Sequence, residues 1–419
     1  MKRSFPLDLS GIIHLASRGK NHSSSYRFAA NLTEEVNPKV LQQALDCVAP
    51  RFPTIAAGIR AGFLNYYVVP IEKVPKVLED CELLATFTKK EIEANAFRVL
   101  YKEKTISLEC FHALTDGYGA ITFLKTLLAE YFKQLKGFVV PTEQMILAVE
   151  ESAKQEEIID DYYTYAKKGK KIEIGKVSYQ FESKSEKLSQ IESYICPYQI
   201  KDLLAAAKSY QVSLNVYLTA VMLMTFAEAQ RESGNKTPVQ VMVPMNLRNL
   251  FPSKTLRNFV LVAYATLLYR KEKYTFEEVL SIVKDQLQEQ MGKEHLEATM
   301  DGFTALERNP ILRHMPLAVK YWAVKIGHYV MGLKKSCITM TNLGPIAFPE
   351  TIANYIESVH VLLTPREASG YNCGIITSGE MCYINFTRLC KEPELENIFM
   401  KTLERVSNEN IKCYRSETR

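Results

Sequence analysis

The fold is decided by residues 106–135, ISLECFHALTDGYGAITFLKTLLAEYFKQL. The first six residues, 106–111, form a short and mostly apolar run that is typical of a strand. From Ile121 onward the apolar side chains recur at helical spacing. Between the two lies the polar, glycine-containing turn of residues 112–119. The stretch therefore predicts a strand, a sharp turn and a helix, with a histidine and an aspartate held in the turn.

His112 and Asp116 are the first candidates for chemistry. Histidine is the side chain whose ordinary pKa suits a general base near neutral pH. Gly117 lies next to Asp116 and lets a substrate approach the backbone closely. Asp116 has two open roles, since it could orient the imidazole as in a catalytic triad or fix the turn by pairing with a distant cation. The alternative without function is a solvent-facing turn that happens to contain these residues.

A glycine-rich turn between a strand and a helix also occurs in dinucleotide-binding folds. Here the third glycine position of that fingerprint is Thr122, and no acidic residue ends a following strand about twenty residues on. The sequence contains no G-x-S-x-G elbow and no P-loop. These motifs therefore give no support to a Rossmann enzyme, a serine hydrolase or an NTPase.

The second half of the chain offers a possible partner for Asp116. The segment Pro244-Met245-Asn246-Leu247-Arg248 follows a predicted buried strand, and Arg257-Asn258 lie nine residues further on. Arg248 is the preferred partner of the Asp116 carboxylate, with Arg257 as the alternative. A capped loop without function is the other interpretation of this cluster.

Thr341 and Asn342 form a further polar pair, at the end of the strand predicted over residues 337–340. Their hydroxyl and amide groups could donate hydrogen bonds to a developing oxyanion. A simple strand-end turn before Gly344-Pro345 would explain the same residues.

The composition is that of a soluble globular protein, with 47% hydrophobic and 24% charged residues in 419 and a net charge of +5. The sequence has no long Lys/Arg block and no nucleic-acid motif, so no nucleic-acid partner is expected. No apolar run is long enough for a membrane span, and the N-terminal residues lack the apolar core of a signal peptide. The nine cysteines include no C-x-x-C pair, which favours a reducing cytoplasm and no metal site.

Two halves are predicted, with a boundary near residue 185. Residues 151–193 are dense in alternating charge and predict a surface connection, with a strand over 176–181. The expected domains are therefore 1–185 and 186–419. Hairpins are predicted in both halves, which favours an α/β fold with mixed sheets over a (β/α) barrel.

The remaining predicted elements follow from hydrophobic period and caps, with Asn37 as a helix N-cap before Pro38. The other six histidines (14, 22, 295, 314, 328 and 360) show no ligand spacing and are expected on the surface or on a helix face. The predicted strands are 24–31, a hairpin over 55–69, 97–101, 105–111, 194–196, 239–244, 259–269 and a hairpin of 371–376 with 381–386. The predicted helices are 38–48, 197–209, 216–231, 276–292, 310–333 and 392–408.

In their order along the chain these residues resemble the chloramphenicol acetyltransferase-like superfamily, which contains CoA-dependent alcohol acyltransferases and the condensation domains of peptide synthetases. The matching positions are His112-x-x-x-Asp116-Gly117, Arg51-Phe52-Pro53, Pro244-x-Asn246-Leu247-Arg248, Asn258 and Thr341-Asn342-Leu343-Gly344. Within the superfamily the sequence is most similar to stand-alone alcohol acetyltransferase-like proteins.

The resemblance implies two similar lobes in a V, with a tunnel between them. His112 is then the general base for direct attack on an acyl thioester, without an acyl-enzyme. Asp116 is structural and paired with an arginine, and Gly117 leaves room for the pantetheine arm. The co-substrate is acyl-CoA, the acceptor is a small alcohol or amine, and no bound cofactor is implied.

One position departs from the family pattern. Condensation domains carry a second histidine directly before the catalytic one, and here that residue is Phe111. The sequence also shows no carrier-protein or adenylation module. Both points favour free acyl-CoA as the donor. The alternatives are a stand-alone condensation enzyme that uses a carrier-protein thioester, and a catalytically silent binding protein on the same fold.

Overall fold

The structure is a computed structural model that describes residues 4–19, 23–167, 177–310, 314–331, 334–407, 411–414 and 417–418. The strands are β1 (Phe5–Pro6), β2 (Ser25–Leu32), β3 (Ala57–Ala61), β4 (Tyr66–Pro70), β5 (Leu78–Glu79), β6 (Phe97–Lys102), β7 (Thr105–Phe111), β8 (Lys187–Gln199), β9 (Val239–Asn246), β10 (Val260–Leu267), β11 (Ile338–Ile346), β12 (Ile356–Leu363), β13 (Tyr371–Ser378), β14 (Met381–Cys390) and β15 (Glu417–Thr418).

The helices cover the sheets and connect the strands. They are α1 (Leu9–Ala16), α2 (Pro38–Val48), α3 (Lys89–Ala94), α4 (Gly117–Lys136), α5 (Gln155–Ile158), α6 (Tyr162–Tyr165), α7 (Ile200–Ser209), α8 (Leu214–Ser233), α9 (Phe276–Gln290), α10 (Lys293–Arg308), α11 (Leu317–Met331), α12 (Glu350–Ala353) and α13 (Glu394–Val406).

A five-stranded sheet in the order β12-β2-β7-β6-β5 carries the histidine turn. Strand β7 pairs antiparallel with both β2 and β6, and its last residue, Phe111, is opposite Ser25. All eight residues of β2 are buried, because this strand lies inside the sheet between β7 and β12. The outer neighbour β12 comes from the second half of the chain and pairs antiparallel with β2.

The second large sheet has seven strands in the order β10-β9-β11-β13-β14-β8-β15. Strand β11 runs parallel to both β9 and β13, whereas β10 and β14 are antiparallel to their neighbours. Helix α8 is buried on most sides against this sheet, as its nearly continuous apolar sequence predicts. The predicted α/β fold with mixed sheets is confirmed.

Helix α4 begins at Gly117 because the Asp116 side chain caps it. One carboxylate oxygen accepts hydrogen bonds from the backbone N–H groups of Tyr118 (3.1 Å) and Gly119 (3.3 Å). The helix ends at Gly137, which adopts a left-handed φ of 73°. The strand and the helix therefore fix the histidine turn from both sides. Asn37 caps α2 in the same way, as predicted.

Several elements were not predicted, among them the helices α1 and α3. Strand β12 and helix α10 lie in segments whose periodicity was not assigned. Within the predicted helix 310–333, α11 covers Leu317–Met331, and residues 311–313 and 332–333 lie outside the described residues. The hairpin β3–β4 and the hairpin β13–β14 are confirmed.

The prediction that residues 151–193 form a surface connection is wrong in part. Tyr162 and Phe181 are buried in the same apolar core as the seven-stranded sheet. Glu157 accepts hydrogen bonds from the buried Arg51. Because charged residues are frequent in this segment, it shows no apolar periodicity from which these few buried contacts could be predicted. Residues 177–181 form no strand, and residue 176 of that prediction lies outside the described residues.

The domain boundary near residue 185 stays a prediction.

None of the described helices is by itself long and apolar enough to cross a membrane. Helices α7 and α8, which are bent by 86° relative to each other, reach the length and apolar composition of a membrane span only as a pair.

Candidate active site between the two halves of the chain

A cavity of about 1870 Å³ lies between the two large sheets. Its lining comes from both halves of the chain and includes His112, Gly117, Asn258, Thr341 and Asn342. Apolar residues from β9, β10 and β12 supply much of the remaining wall. The cavity exceeds the roughly 300–1,000 Å³ of an ordinary small-molecule site, so it has room for two substrates at once.

His112 is held by its backbone at the end of β7. Its N–H donates to the Ser24 carbonyl (2.8 Å), and its carbonyl accepts from the Asn258 side-chain amide (3.1 Å). The residue is half-buried, and its Nδ1 atom is not accessible to solvent. The Nε2 edge of the ring is therefore the part that the cavity can reach.

Two aromatic side chains fix the plane of the His112 ring. The His14 imidazole stacks on it at 4.0 Å between ring centres, with only 9° between the planes. Tyr26 meets it edge-on at 4.8 Å. The Tyr26 hydroxyl also donates to the carbonyls of Thr115 and Asp116 (2.9 and 3.0 Å). Tyr26 thus ties the ring and the turn together.

The pKa of His112 is lowered from its usual value near 6.5, chiefly by burial. The carbonyl of His112 itself and the Asp116 carboxylate oppose this lowering without reversing it. Because burial disfavours the charged imidazolium, the ring is neutral at neutral pH. A neutral imidazole is the form that accepts a proton.

Asp116 does not orient His112; it fixes the turn to the second half. Its second carboxylate oxygen accepts from the Arg248 guanidinium and from the Phe259 backbone N–H, both at 2.8 Å. With the two helix-cap bonds, the carboxylate accepts four hydrogen bonds. Of the two predicted roles, the structure selects the pairing with a distant cation.

Arg248, and not Arg257, is the partner of Asp116. The Arg248 guanidinium also donates to Asn246 and to the carbonyls of Thr255 and Arg257, and it lies 4.5 Å from the centre of the Tyr118 ring. Asn246 in turn caps the short 3₁₀ turn Leu247–Asn249. Arg248 therefore holds the turn after β9 in shape as well as the histidine turn.

Arg257 instead holds the N-terminal helix. It donates to the carbonyl of Pro6 (2.6 Å) and to the carboxylate of Asp8 (3.2 Å). Asp8 is the N-cap of α1, whose side chain accepts from the Gly11 N–H (2.7 Å). A Cβ at Gly11 would come within 2.8 Å of the Ala113 carbonyl, so α1 packs directly on the histidine turn. This contact brings His14 to His112.

Thr341 and Asn342 both line the cavity, but they lie within β11 and not at its end. The strand continues to Ile346 because its pairing with β13 shifts register between Asn342 and Pro345. Asn342 uses its side-chain oxygen to accept from the Gly344 N–H (3.0 Å). Within the described residues, the Asn342 amide N–H groups and the Thr341 hydroxyl make no hydrogen bond, so both are available to a ligand.

The two glycines of the turn differ in their surroundings. A Cβ at Gly117 would approach the end of the Leu343 side chain (2.9 Å), which lines the cavity. A Cβ at Gly119 would meet the Leu256 carbonyl at 2.3 Å and the Thr115 hydroxyl at 2.2 Å. Gly119 is therefore required by a close backbone contact between the halves, a role that the sequence did not indicate.

No family model matches the sequence, and no curated protein sequence matches it. Several solved structures have a similar fold. Polyketide synthase associated protein 5 from Mycobacterium tuberculosis aligns with a TM-score of 0.63 at 13% identity, over 97% of this chain and 100% of that chain. TRI101 of F. sporotrichioides, complexed with coenzyme A and T-2, aligns with a TM-score of 0.62 at 12% identity, over 98% and 99%.

A mutant starter condensation domain of rhizomide synthetase, in complex with C8-CoA and Leu-SNAC, aligns with a TM-score of 0.61 at 15% identity, over 97% of this chain and 94% of that chain. The chain therefore shares the fold of these proteins, which include condensation domains. The two-lobed fold with mixed sheets that the sequence predicted is thereby confirmed.

His14 is a site residue that sequence reasoning missed. It lies on helix α1, in line with the expected helix face, but a short helix before the first strand carries no signal of contact with residue 112. His360 was misplaced, since it is buried and bonded to Asn31, Ser358 and Asn385. His295 and His314 are exposed as predicted. His22 and the side chain of His328 lie outside the described residues.

Proposed function

We propose that this protein is an acyltransferase that moves an acyl group from acyl-CoA to a small alcohol or amine, with His112 as the general base. The observation that carries the proposal is the position of His112, whose reachable Nε2 edge faces a cavity shared by both halves. Its lowered pKa keeps it neutral and ready to accept a proton at neutral pH.

In the proposed step the acceptor hydroxyl or amine gives its proton to Nε2 while its oxygen or nitrogen attacks the thioester carbonyl carbon. The negative charge of the tetrahedral intermediate rests on the former carbonyl oxygen. When the intermediate collapses, the carbon–sulfur bond breaks and the imidazolium returns the proton to the departing thiolate. The products are the ester or amide and free thiol, and no acyl-enzyme forms.

The remaining site residues support this chemistry by position. Thr341 and Asn342 carry the free donors proposed to stabilise the oxyanion. Asn258 fixes the carbonyls of His112 and Ala113 (3.1 and 3.4 Å), and Arg248 fixes Asp116. Gly117 would leave room for the pantetheine arm, because a Cβ there would crowd Leu343.

Acyl-CoA is the proposed donor because two of the similar structures are complexes with coenzyme A or C8-CoA. The likeness to condensation domains supports a carrier-bound acyl thioester as the second candidate donor.

The test is release of free thiol from acyl-CoAs of several chain lengths, mixed with pooled alcohols and amines. We expect His112→Ala to lower turnover by about 10²–10⁴-fold, the usual contribution of general-base catalysis. The acid limb of the wild-type pH profile should lie below pH 6.5, since burial lowers the pKa of the base. Acyl-pantetheine and an acylated carrier protein, assayed in parallel, distinguish the two donors.

The matched control is His295→Ala, which removes an exposed histidine away from the cavity and should leave turnover unchanged. Circular dichroism should show that both variants keep the fold. Undiminished turnover in His112→Ala would overturn the assignment of the base, and a failure to consume any thioester would favour the silent binding protein.

A further inference from the structure

Helix α11 and the tip of the β3–β4 hairpin present an apolar surface to solvent. We call this surface the Trp322 face and define it by Phe63, Val319, Trp322 and Ile326. These side chains are 85%, 51%, 62% and 57% exposed, respectively. The three helical members lie at positions i, i+3 and i+7, so they share one side of α11. Phe63 is adjacent, since its carbonyl accepts from the Leu317 N–H (3.3 Å).

The Trp322 face belongs to a rigidly attached element. The Lys320 ammonium donates to the Leu64 carbonyl (3.0 Å), and the Tyr321 and Tyr66 rings pack edge to face at 6.2 Å. Helix α1, which carries His14, packs against the same helix. The four apolar side chains are therefore held together in one patch, and exposed patches of this kind mark interaction sites.

The charge around the Trp322 face is one-sided. Helix α11 contains two Lys and no Asp or Glu. The Lys325 ammonium lies 5.8 Å from the centre of the Trp322 ring, next to the apolar side chains. Basic residues beside an exposed tryptophan and branched aliphatic side chains are the composition of helices that lie in the headgroup region of a bilayer. The surroundings therefore match an anionic and partly apolar partner.

A different side of α11 faces the cavity. Lys320, Ala323, Val324 and Gly327 line it, at the helical spacing that complements the exposed positions. One helix thus carries the cavity wall on its inner side and the apolar, basic surface on its outer side.

We propose that the Trp322 face docks onto the surface of a membrane that contains anionic phospholipids. The apolar side chains enter the headgroup boundary, and the Lys325 ammonium lies at the phosphate level. Docking requires no membrane span and is independent of the acyl transfer proposed above. It places the wall of the cavity against the bilayer.

The test uses the full chain and vesicles of phosphatidylcholine, with or without an equal share of phosphatidylglycerol. Trp322 is the single tryptophan of the sequence, so its fluorescence reports on this face alone. We expect a blue shift and co-sedimentation with the anionic vesicles, both weakened by added salt, and neither with phosphatidylcholine alone. Ile326→Glu should weaken the partitioning by about tenfold or more, because it removes an apolar anchor and adds a repelled charge.

The matched control is Val139→Glu, which places the same charge at a valine that is 87% exposed after α4. It should bind vesicles like the wild type, and thermal unfolding should show that both variants are folded. Equal binding by wild type and Ile326→Glu would overturn the proposal, as would absence of binding to anionic vesicles. Light scattering without vesicles tests whether the protein is a dimer. If the wild type is a dimer and Ile326→Glu is a monomer, a second copy of the chain covers the Trp322 face, which would overturn the proposal.

Discussion

Two buried arginine–carboxylate pairs join the halves of the chain, and they differ in how completely they are bonded. Asp116 pairs with Arg248 at 2.8 Å, and Asp8 pairs with Arg257 at 3.2 Å. Asp116 accepts four hydrogen bonds, from three different segments. Asp8 accepts one from Gly11 and one from Arg257, and burial raises its pKa.

Because of this difference in hydrogen bonding, we expect the Asp116–Arg248 contact to be fixed and the Asp8–Arg257 contact to respond to pH. The pair of Asp116 and Arg248 shapes the turn of His112. The pair of Asp8 and Arg257 holds α1, which supplies His14, and a second acid, Asp160, lies near it. The pKa of Asp160 is raised to about 7 by burial and by the neighbouring Asp8.

The largest effect is expected from Asp116→Ala. It leaves the buried Arg248 charge unpaired and removes the cap of α4, so unfolding free energy should fall by about 3–5 kcal/mol. Denaturant unfolding measures the change. Asp46→Ala, at an exposed carboxylate on α2, is the control and should stay within about 0.5 kcal/mol of wild type. A loss below about 1 kcal/mol for Asp116→Ala would contradict the importance of this pair.

Arg257→Met should cost less, about 1–3 kcal/mol. Asp8 can escape the loss of its partner by taking up a proton, because its pKa is already raised. The cost should therefore be smaller at pH 5 than at pH 8, which denaturant unfolding at the two pH values will show. If Arg257→Met lowers the unfolding free energy as much as Asp116→Ala does, and equally at both pH values, the two pairs do not differ in the way described.

Asp160→Asn tests the pH response itself. A carboxyl group whose pKa is raised on folding binds more protons in the native state, so it lowers stability as pH rises from about 4 to about 7. The variant keeps the acceptor for the Tyr162 N–H but cannot ionise. We expect equal stability of wild type and variant below pH 4, and a more stable variant above pH 7. Parallel curves over the whole range would refute the raised pKa.

The smallest effect is expected at His14. Stacking of this kind is worth roughly 0.5–1.5 kcal/mol, so His14→Ala should lower turnover by up to about tenfold through a less ordered His112 ring. His14→Phe keeps a ring in the stack and should recover most of the loss. Histidine-detected NMR titration of His112 gives an independent measurement of its environment. Identical turnover in all three proteins would mean that the stack does not position the base.

Local signals were enough to predict the strand, turn and helix that carry His112 and Asp116. The strand β7, the turn with its Asp116 cap and the helix α4 are contiguous, so periodicity and capping chemistry determine them together. The pairing of Arg248 with Asp116 was also predicted from sequence, where Arg248 follows a predicted buried strand. His14, Asp8 and Gly119 could not be found in this way. Their contacts with residues 112, 257 and 256 come from packing between segments that share no sequence pattern.

Strand β12, which was also not predicted, has a position in the sheet that matters while the ribosome is still making the chain. The Ser25 hydroxyl meets the Thr364 hydroxyl across 339 residues of chain, and β12 covers the edge of β2. A nascent chain that has emerged only through β7 carries β2 as an open edge, which is a template for pairing with another chain. The sheet behind the histidine is completed only after residue 363 leaves the ribosome. Until then the β2 edge of the growing polypeptide is open to pairing with another chain unless a binding partner covers it.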